Sequence, residues 1–468
     1  MSSDATRVLV IGADAAGMSA AHQALRTAGS HGRSLQVTVV DKGAHTSYSA
    51  CGIPYWMAGD VESGDELVAR TVEQHREAGI EMRLGTEAVA VDVTSRTVTV
   101  RGGQDVDEET LEYDELVVAT GAPAIVPAWA LRPDGTPYVN VGPVKTLDDG
   151  AAWESRFEAA GEGAHVVVVG AGYVGVEVAE AALRRGLGVT VVTRGRGLAL
   201  LEEEMSEKVA IAMCDAGAEV VLGVEVTGLE TATGESGGHR ATGVRWEGGG
   251  RDADLVVLAI GVRPATGFLR DSGLPMGDNG ALLPDEHGRV APGIWAAGDC
   301  CEVRRRIDDR TVFRPLGTHA NKLGRVLGDN LAGGSLAFPG VVDTSITRFA
   351  ACGEYLEIAR TGLGLEEAQH AGYDAVALVT EGTTASGYMP EAEPISVWVL
   401  ACRSTRRLLG VQVVGGHGAG KRVDTAAAVL WSEGTVDDLA WMDLAYAPPF
   451  STAWDILQIA ARRLAERL

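Results

Sequence analysis

The sequence predicts an α/β protein made of two similar nucleotide-binding units and a C-terminal α+β unit, and three observations predict it. An apolar strand, RVLVIG at 7–12, runs into a glycine-bearing turn and the helical stretch AAGMSAAHQALRTAG, and a second strand, QVTVVD, follows at 36–41. The same order recurs as HVVVVG at 165–170, the helical stretch AGYVGVEVAEAALRRG, and GVTVVTR at 188–194. From about residue 340 the pattern changes: AVALVT, PISVWVLA and LLGVQVVGG read as antiparallel strands, the last two joined by the polar turn CRSTRR, and two helical stretches close the chain. The first two units carry strands apolar on both faces, as a parallel sheet covered by helices requires. They read as two Rossmann-like dinucleotide-binding domains. The expected limits are 1–148 with 285–335 for the first, 149–284 for the second and 336–468 for the C-terminal unit.

Composition narrows the class of partner. With 468 residues the chain is long enough for several cores. Its formal net charge of −24 argues against nucleic acid or an anionic membrane surface as a partner, because neither gains by approaching such a field. An anionic substrate must therefore meet a local basic patch. No uncharged apolar run approaches the ~18 residues of a membrane span, and no secretory leader is expected ahead of the first strand. Cys51, Cys214, Cys300, Cys301, Cys352 and Cys402 show neither a CxxC nor a paired metal spacing. The expectation is a cytoplasmic protein with reduced thiols and no metal site.

Gly170-Ala171-Gly172-Tyr173-Val174-Gly175 is an unbroken GxGxxG between a strand and a helix. Gly170 permits the tight turn, Gly172 lets a pyrophosphate approach the backbone, and Gly175 lets helix and strand pack closely. The helix start adds free N–H groups and a positive dipole end, and Glu177 is expected to face the same region. The second strand ends in Thr193-Arg194-Gly195-Arg196, with no carboxylate to bind a ribose 2′-hydroxyl. Arg194 and Arg196 suit a 2′-phosphate, so NADPH is favoured over NADH. The first turn, Gly12-Ala13-Asp14-Ala15-Ala16-Gly17, lacks the middle glycine. Its second strand nevertheless ends in Asp41, which suits an adenosine ribose. YDELVVATGAP places Thr120 and Gly121 after a strand, and GIWAAGDC does the same for Gly298 and Asp299.

These four segments, in this order and with ADLVVLAIGVRP at 253–264, resemble the pyridine-nucleotide disulfide oxidoreductases over nearly the whole chain. The resemblance implies FAD in the first domain, NAD(P)H in the second, Asp299 on the flavin ribityl chain, and a C-terminal domain that makes a homodimer.

Within the first unit, after Asp41, lies SYSACGIPYW, residues 47–56. Cys51 stands before an expected helix start with Pro54 in its first turn, a position that favours a thiolate. Most lone cysteines are inert core residues, so the nucleotide motifs around this one carry its functional reading. No cysteine precedes Cys51, so the CxxxxC redox disulfide of the two-cysteine members cannot form. The pattern Ser47…Cys51-Gly52…Pro54-Tyr55 is similar to the single-cysteine branch of coenzyme A-disulfide reductases, persulfide reductases and NADH oxidases and peroxidases. Oxidases and peroxidases carry a histidine in the first turn where this chain has Ala15. The coenzyme A-disulfide reductases carry a YAPPF-like segment, matched by Tyr446-Ala447-Pro448-Pro449-Phe450, and a KRxD stretch, matched at Lys421–Asp424. Their YYP segment is kept only as Tyr388-Met389-Pro390.

The resemblance thus implies an FAD-dependent NAD(P)H disulfide reductase with Cys51, Ser47 and the second subunit's Tyr446 as working residues. The substrate would be a thiol disulfide such as that of coenzyme A. A persulfide or polysulfide reductase, an NAD(P)H oxidase and, in another class, a non-catalytic flavoprotein redox sensor are the alternatives.

Overall fold

The computed structural model describes residues 5–102, 108–198, 200–233 and 239–468. Among them the strands form three main sheets and several small ones. The first main sheet has six strands: Arg289–Ala291, Ile294–Ala296, Glu115–Val118, Thr6–Ile11, Leu35–Asp41 and Ile80–Leu84. The strand Thr6–Ile11 lies in parallel between Leu35–Asp41 and Glu115–Val118, so chain segments far apart in sequence meet at its carboxyl end. The second sheet orders Glu219–Leu222, Gly188–Thr193, His165–Val169, Leu255–Leu258 and Val141–Pro143, again in parallel. This departs from the expected limits: Val141–Pro143 pairs with Val256, Val257 and Leu258 in the second sheet, not in the first unit.

The strand interiors explain these sheets. Val166, Val167 and Val168 are fully buried, as are Val191 and Val192 beside them. Such strands have no polar face to give to water and are covered on both sides. The C-terminal sheet is antiparallel, with the order Ser345–Ala351, Glu354–Gly362, Leu408–Gly415, Pro394–Cys402 and Ala375–Thr383. The helices Val423–Trp431 and Ile456–Ala465 pack on it.

Two contacts place the functional region. The helix Ala15–Ser30 runs along Gly317–Leu331 at very short range. A Cβ added at Gly324 would lie 2.4 Å from the Ala16 carbonyl oxygen, and one at Gly328 would lie 2.3 Å from that of Ala20. The other contact is made by the five-residue helix Ile53–Met57, which wedges against Leu147–Ala160 and Tyr173–Arg184. Its Ile53 and Trp56 close on Gly150, where a Cβ would lie 2.7 Å from the Trp56 ring. Arg185 Nε donates to the Met57 carbonyl at 3.0 Å, and Arg184 pairs with Asp60 at 2.5 Å.

A buried ion cluster joins the first unit to the C-terminal one: Arg305 pairs with Asp308 at 2.7 Å, Glu367 at 2.8 Å and Asp343 at 3.6 Å. Among the described residues no helix is long and apolar enough to cross a membrane.

Candidate active site

The second glycine turn has the shape its sequence predicts. Gly170 has φ +105°, and a Cβ there would lie 2.2 Å from the Ala259 carbonyl oxygen; one on Gly175 would lie 2.1 Å from the Gly170 carbonyl oxygen. Both are closed to any side chain. Gly172, the residue before the helix Tyr173–Arg184, has nothing within 4 Å of where its Cβ would stand. That opening at a helix start is where a pyrophosphate fits. Arg194 and Arg196 are exposed at the tip of the neighbouring strand, where Gly195 N–H donates to Thr193 Oγ1.

The first turn repeats the geometry without the middle glycine. A Cβ on Gly12 would lie 2.1 Å from the Ala119 carbonyl oxygen, and one on Gly17 would lie 1.9 Å from the Gly12 carbonyl oxygen. Asp41 receives Ala13 N–H at 2.8 Å on one carboxylate oxygen and Gly43 N–H at 2.7 Å on the other. Both oxygens thus shape the turn, and a ribose would have to share them. Gly298 sits between the two helix starts, its Cβ position 2.9 Å from Ala16 and 3.7 Å from Ala320. The chain therefore delivers Asp299 where two helix N-termini meet, and Lys145 approaches it at 3.4 Å. Thr120 Oγ1 donates to the Ala265 carbonyl at 2.9 Å, and Gly121 follows with φ +68°. Two converging helix ends, a positive-φ turn and a lysine–aspartate pair fit the diphosphate and ribityl chain of FAD.

Cys51 lies in a 3₁₀ turn, Ala50–Gly52, ahead of the helix Ile53–Met57, and the residue is exposed. Sequence alone predicts a thiolate favoured by a helix end. In the structure the protein around the thiol strips water from it and pushes it up, and the Glu177 carboxylate adds to the push. Lys145 opposes this, while Asp299 and Asp14 reinforce it. A single short helix offers too little dipole to outweigh three carboxylates.

Glu177 lies on the helix Tyr173–Arg184 that opens at the dinucleotide turn. It accepts a hydrogen bond from Thr347 Oγ1 at 2.6 Å, and burial pushes its carboxyl up to about 7. Tyr55 shares that environment: loss of water and then the Glu177 charge push its phenol up to about 12, and the Arg348 guanidinium lies 5.1 Å from its ring centre. Loss of water, with the charge of Asp41 adding to it, pushes the partly buried Asp14 up to about 6.

Ser47 is held at three points. Its N–H donates to the Ala13 carbonyl at 3.1 Å, its carbonyl accepts Ala69 N–H at 2.8 Å, and its hydroxyl lies 3.0 Å from His75 Nε2. His75 carries no sequence signal, since it stands alone on a six-residue helix, Val72–Glu77.

Tyr446 follows the helix Val436–Trp441 in the C-terminal unit. It is half exposed on the C-terminal unit, with Tyr388 and Phe450 three-quarters exposed. Its segment is pinned by Ser386 N–H to the Pro448 carbonyl at 2.9 Å and by Arg422 Nη2 to the Phe450 carbonyl at 2.7 Å. Within the KRxD stretch, Lys421 pairs with Asp424 on the surface, and it is Arg422 that secures the tyrosine segment. The sulfurs of Cys300 and Cys301 lie 3.7 Å apart in the core behind Asp299. Among the described residues no group of three His, Cys, Asp or Glu side chains could hold a metal ion.

Comparison with known proteins agrees with this architecture. Residues 6–314 match the family model described as pyridine nucleotide-disulphide oxidoreductase, and residues 352–457 match that family's dimerisation domain. A relative from Pyrococcus horikoshii, an NAD(P)H coenzyme A polysulfide/persulfide reductase, is 34% identical over 473 residues, covering 98% of each chain. A coenzyme A disulfide reductase from Staphylococcus haemolyticus is 27% identical over 460 residues, covering 97% of this chain and 98% of its own. The structure of an NAD-dependent persulfide reductase from A. fulgidus superposes with a TM-score of 0.89 at 30% identity, covering 99% of this chain and 83% of that one. The chain belongs to the pyridine nucleotide-disulphide oxidoreductase family, and it is an enzyme that couples a nicotinamide dinucleotide to FAD.

Proposed function

We propose that this enzyme uses NADPH to reduce the sulfur–sulfur bond of an anionic thiol's disulfide, with coenzyme A disulfide as the leading substrate and Cys51 as the nucleophile. The observation that carries the reading is the position of Cys51: an exposed thiol on the segment wedged between the two nucleotide units, with no second cysteine before it to form a redox pair. The substrate's sulfur must then complete the pair.

The charge distribution supports an anionic substrate. In a chain of net charge −24, Arg70 and Arg26 both act on His22, beside the Ser47–His75 contact. Both arginines are exposed, and Arg70 also acts on His75, so they bring positive charge beside the His75–Ser47 contact. The exposed Arg194 and Arg196, without a carboxylate at the strand tip, support NADPH.

In the cycle, the Cys51 thiolate attacks one substrate sulfur. A mixed disulfide forms, and the first thiolate leaves. FAD and NADPH, when bound, supply the two electrons that cleave it. Cys51 returns to a thiolate and the second thiol departs. Each disulfide takes up two electrons and two protons and yields two thiols. Tyr446 of a second copy donates a hydrogen bond to the departing sulfur, so the working unit is a homodimer held by the dimerisation domain. Ser47, fixed four residues before Cys51, offers its hydroxyl to the same sulfur chemistry. Glu177, its carboxyl poised near neutral pH, holds or releases a proton beside the thiol.

The test is anaerobic NADPH consumption by the FAD-loaded enzyme with coenzyme A disulfide, cystine, a coenzyme A persulfide, or readmitted oxygen. Turnover that is fast with coenzyme A disulfide supports the proposal. Turnover with the persulfide or oxygen alone overturns the substrate and moves the enzyme to the corresponding activity.

A further inference from the structure

A second buried histidine contact continues from Ser47 to the surface. Ser47 Oγ lies 3.0 Å from His75 Nε2, and His75 Nδ1 lies 2.9 Å from His22 Nε2. His75 is fully buried, whereas His22 is partly open to solvent on the helix Ala15–Ser30. The two rings are 5.1 Å apart between centres and tilted by 48°, so they meet through their nitrogens rather than by stacking. Both ring nitrogens of a buried histidine are therefore spent on one line that ends at a serine of the cysteine segment.

We propose that His75 is a positioning residue that fixes the Ser47 hydroxyl as a hydrogen-bond donor toward the sulfur chemistry at Cys51, with His22 setting the direction of the line. The inference rests on the sulfur-reduction reading above. Burial and Arg70 hold His75 below the usual histidine range, and burial with Arg70 takes His22 down to about 4. Both rings are neutral at neutral pH, and a neutral imidazole has one donor and one acceptor.

Three groups in series must then share one direction. If His22 Nε2–H donates to His75 Nδ1, His75 Nε2–H donates to Ser47 Oγ, and the serine's own O–H is free to donate elsewhere. In the opposite direction the hydroxyl is spent on His75, and Ser47 offers only lone pairs. A step that generates a thiolate calls for a donor, which selects the first direction.

The backbone makes this control possible. Ser47 has φ +49°, and its N–H and carbonyl are both engaged, so the hydroxyl is its remaining degree of freedom. A packing role alone would be met by an apolar side chain without the cost of burying two polar nitrogens.

The experiment compares FAD-loaded wild type, His75→Leu, His75→Gln, Ser47→Ala and the double variant His75→Leu/Ser47→Ala. Flavin bleaching by NADPH is read first, then kcat and KM with coenzyme A disulfide or whichever sulfur acceptor the wild type accepts. His75→Leu is expected to bleach at the wild-type rate and to lose about tenfold in kcat with little change in KM, the size of one lost hydrogen bond in the reacting state. His75→Gln, whose amide can restore both contacts, is expected to recover most of that loss. The double variant is expected to be no slower than Ser47→Ala, because the histidine acts through the serine.

Wild-type kinetics in His75→Leu, or losses that multiply in the double variant, would overturn the positioning role alone. A wild type that consumes no sulfur acceptor overturns the sulfur reading and this role with it. Should His75→Leu fail to load FAD, His22→Leu, altered at the partly open end, is read in its place. Its smaller kcat loss must also vanish in the Ser47→Ala background, and a loss that persists there overturns the proposal.

Discussion

The Thr347 hydroxyl donates to the Glu177 carboxylate at 2.6 Å, joining the helix of the second glycine turn to the edge strand Ser345–Ala351 of the C-terminal sheet. The same carboxylate helps to push up both the Cys51 thiol and the Tyr55 phenol. One partly buried acid thus links the helix Tyr173–Arg184, the C-terminal sheet and the Cys51 thiol.

Glu177→Gln keeps an oxygen for Thr347 and removes the charge. The Cys51 thiol should then ionise at lower pH, read as a downward shift in the midpoint of its alkylation rate. Glu177 has a folded-state pKa of about 7, raised from 4.5, so its ionisation opposes folding. That penalty is absent below pH 4.5 and grows until pH 7 is passed, to about 3 kcal/mol at most. The thermal midpoint of Glu177→Gln should therefore exceed that of the wild type at pH 8 and match it at pH 4.5.

The three glycines of the second turn should separate in their effects. Gly172→Ala meets open space, so it should leave the thermal midpoint nearly unchanged while raising KM for the nicotinamide cofactor by about tenfold or more, because the methyl group intrudes on the pyrophosphate. Gly175→Ala drives a methyl against the Gly170 carbonyl and should cost about 1–3 kcal/mol of stability. A stable Gly175→Ala and an unfolded Gly172→Ala would reverse the assignment of this turn.

Replacing both Arg194 and Arg196 with alanine should raise KM for NADPH about 10- to 100-fold, the worth of charge-assisted hydrogen bonds to a 2′-phosphate, and leave NADH use nearly unchanged. Equal losses with the two cofactors would remove the arginines from phosphate recognition.

Cys51→Ser should abolish disulfide turnover while flavin bleaching by NADPH continues. Tyr446→Phe should slow turnover and leave the intrachain fold intact, since the side chain is half exposed. Hybrids formed by unfolding and refolding these two variants together give a sharper test. If each site takes Cys51 from one subunit and Tyr446 from the other, a hybrid has one intact site, and activity should rise above that of either parent. No rise would place Tyr446 outside the partner's site.

Much of the architecture was legible because strand–turn–helix units are local in sequence. The strand Thr6–Ile11 and the helix Tyr173–Arg184 follow from apolar runs and glycine spacing within a few residues of each other. Val141–Pro143 was not legible: three residues ending in proline carry no period, and only an open sheet edge recruits them. The environment of Cys51 was not legible because the carboxylates that oppose its ionisation come from Asp14, Glu177 and Asp299, which only folding assembles. His22 and His75 stay silent in the sequence for the same reason, since neither belongs to a motif and their contact depends on the docking of Val72–Glu77.

The wedge of Ile53 and Trp56 against Gly150 bears on how such a chain can recombine. The helix after Cys51 is encoded in the first unit, but it rests on a glycine at the start of the second and is roped to Arg184 and Arg185 at the C-terminal end of the helix Tyr173–Arg184. A crossover that trades the second unit for a relative's, cut at the apparent domain seam, would leave Trp56 facing a foreign surface. A working chimera has to inherit residues 53–60 together with 147–185, so the smallest exchangeable module of this enzyme is larger than either of its nucleotide folds.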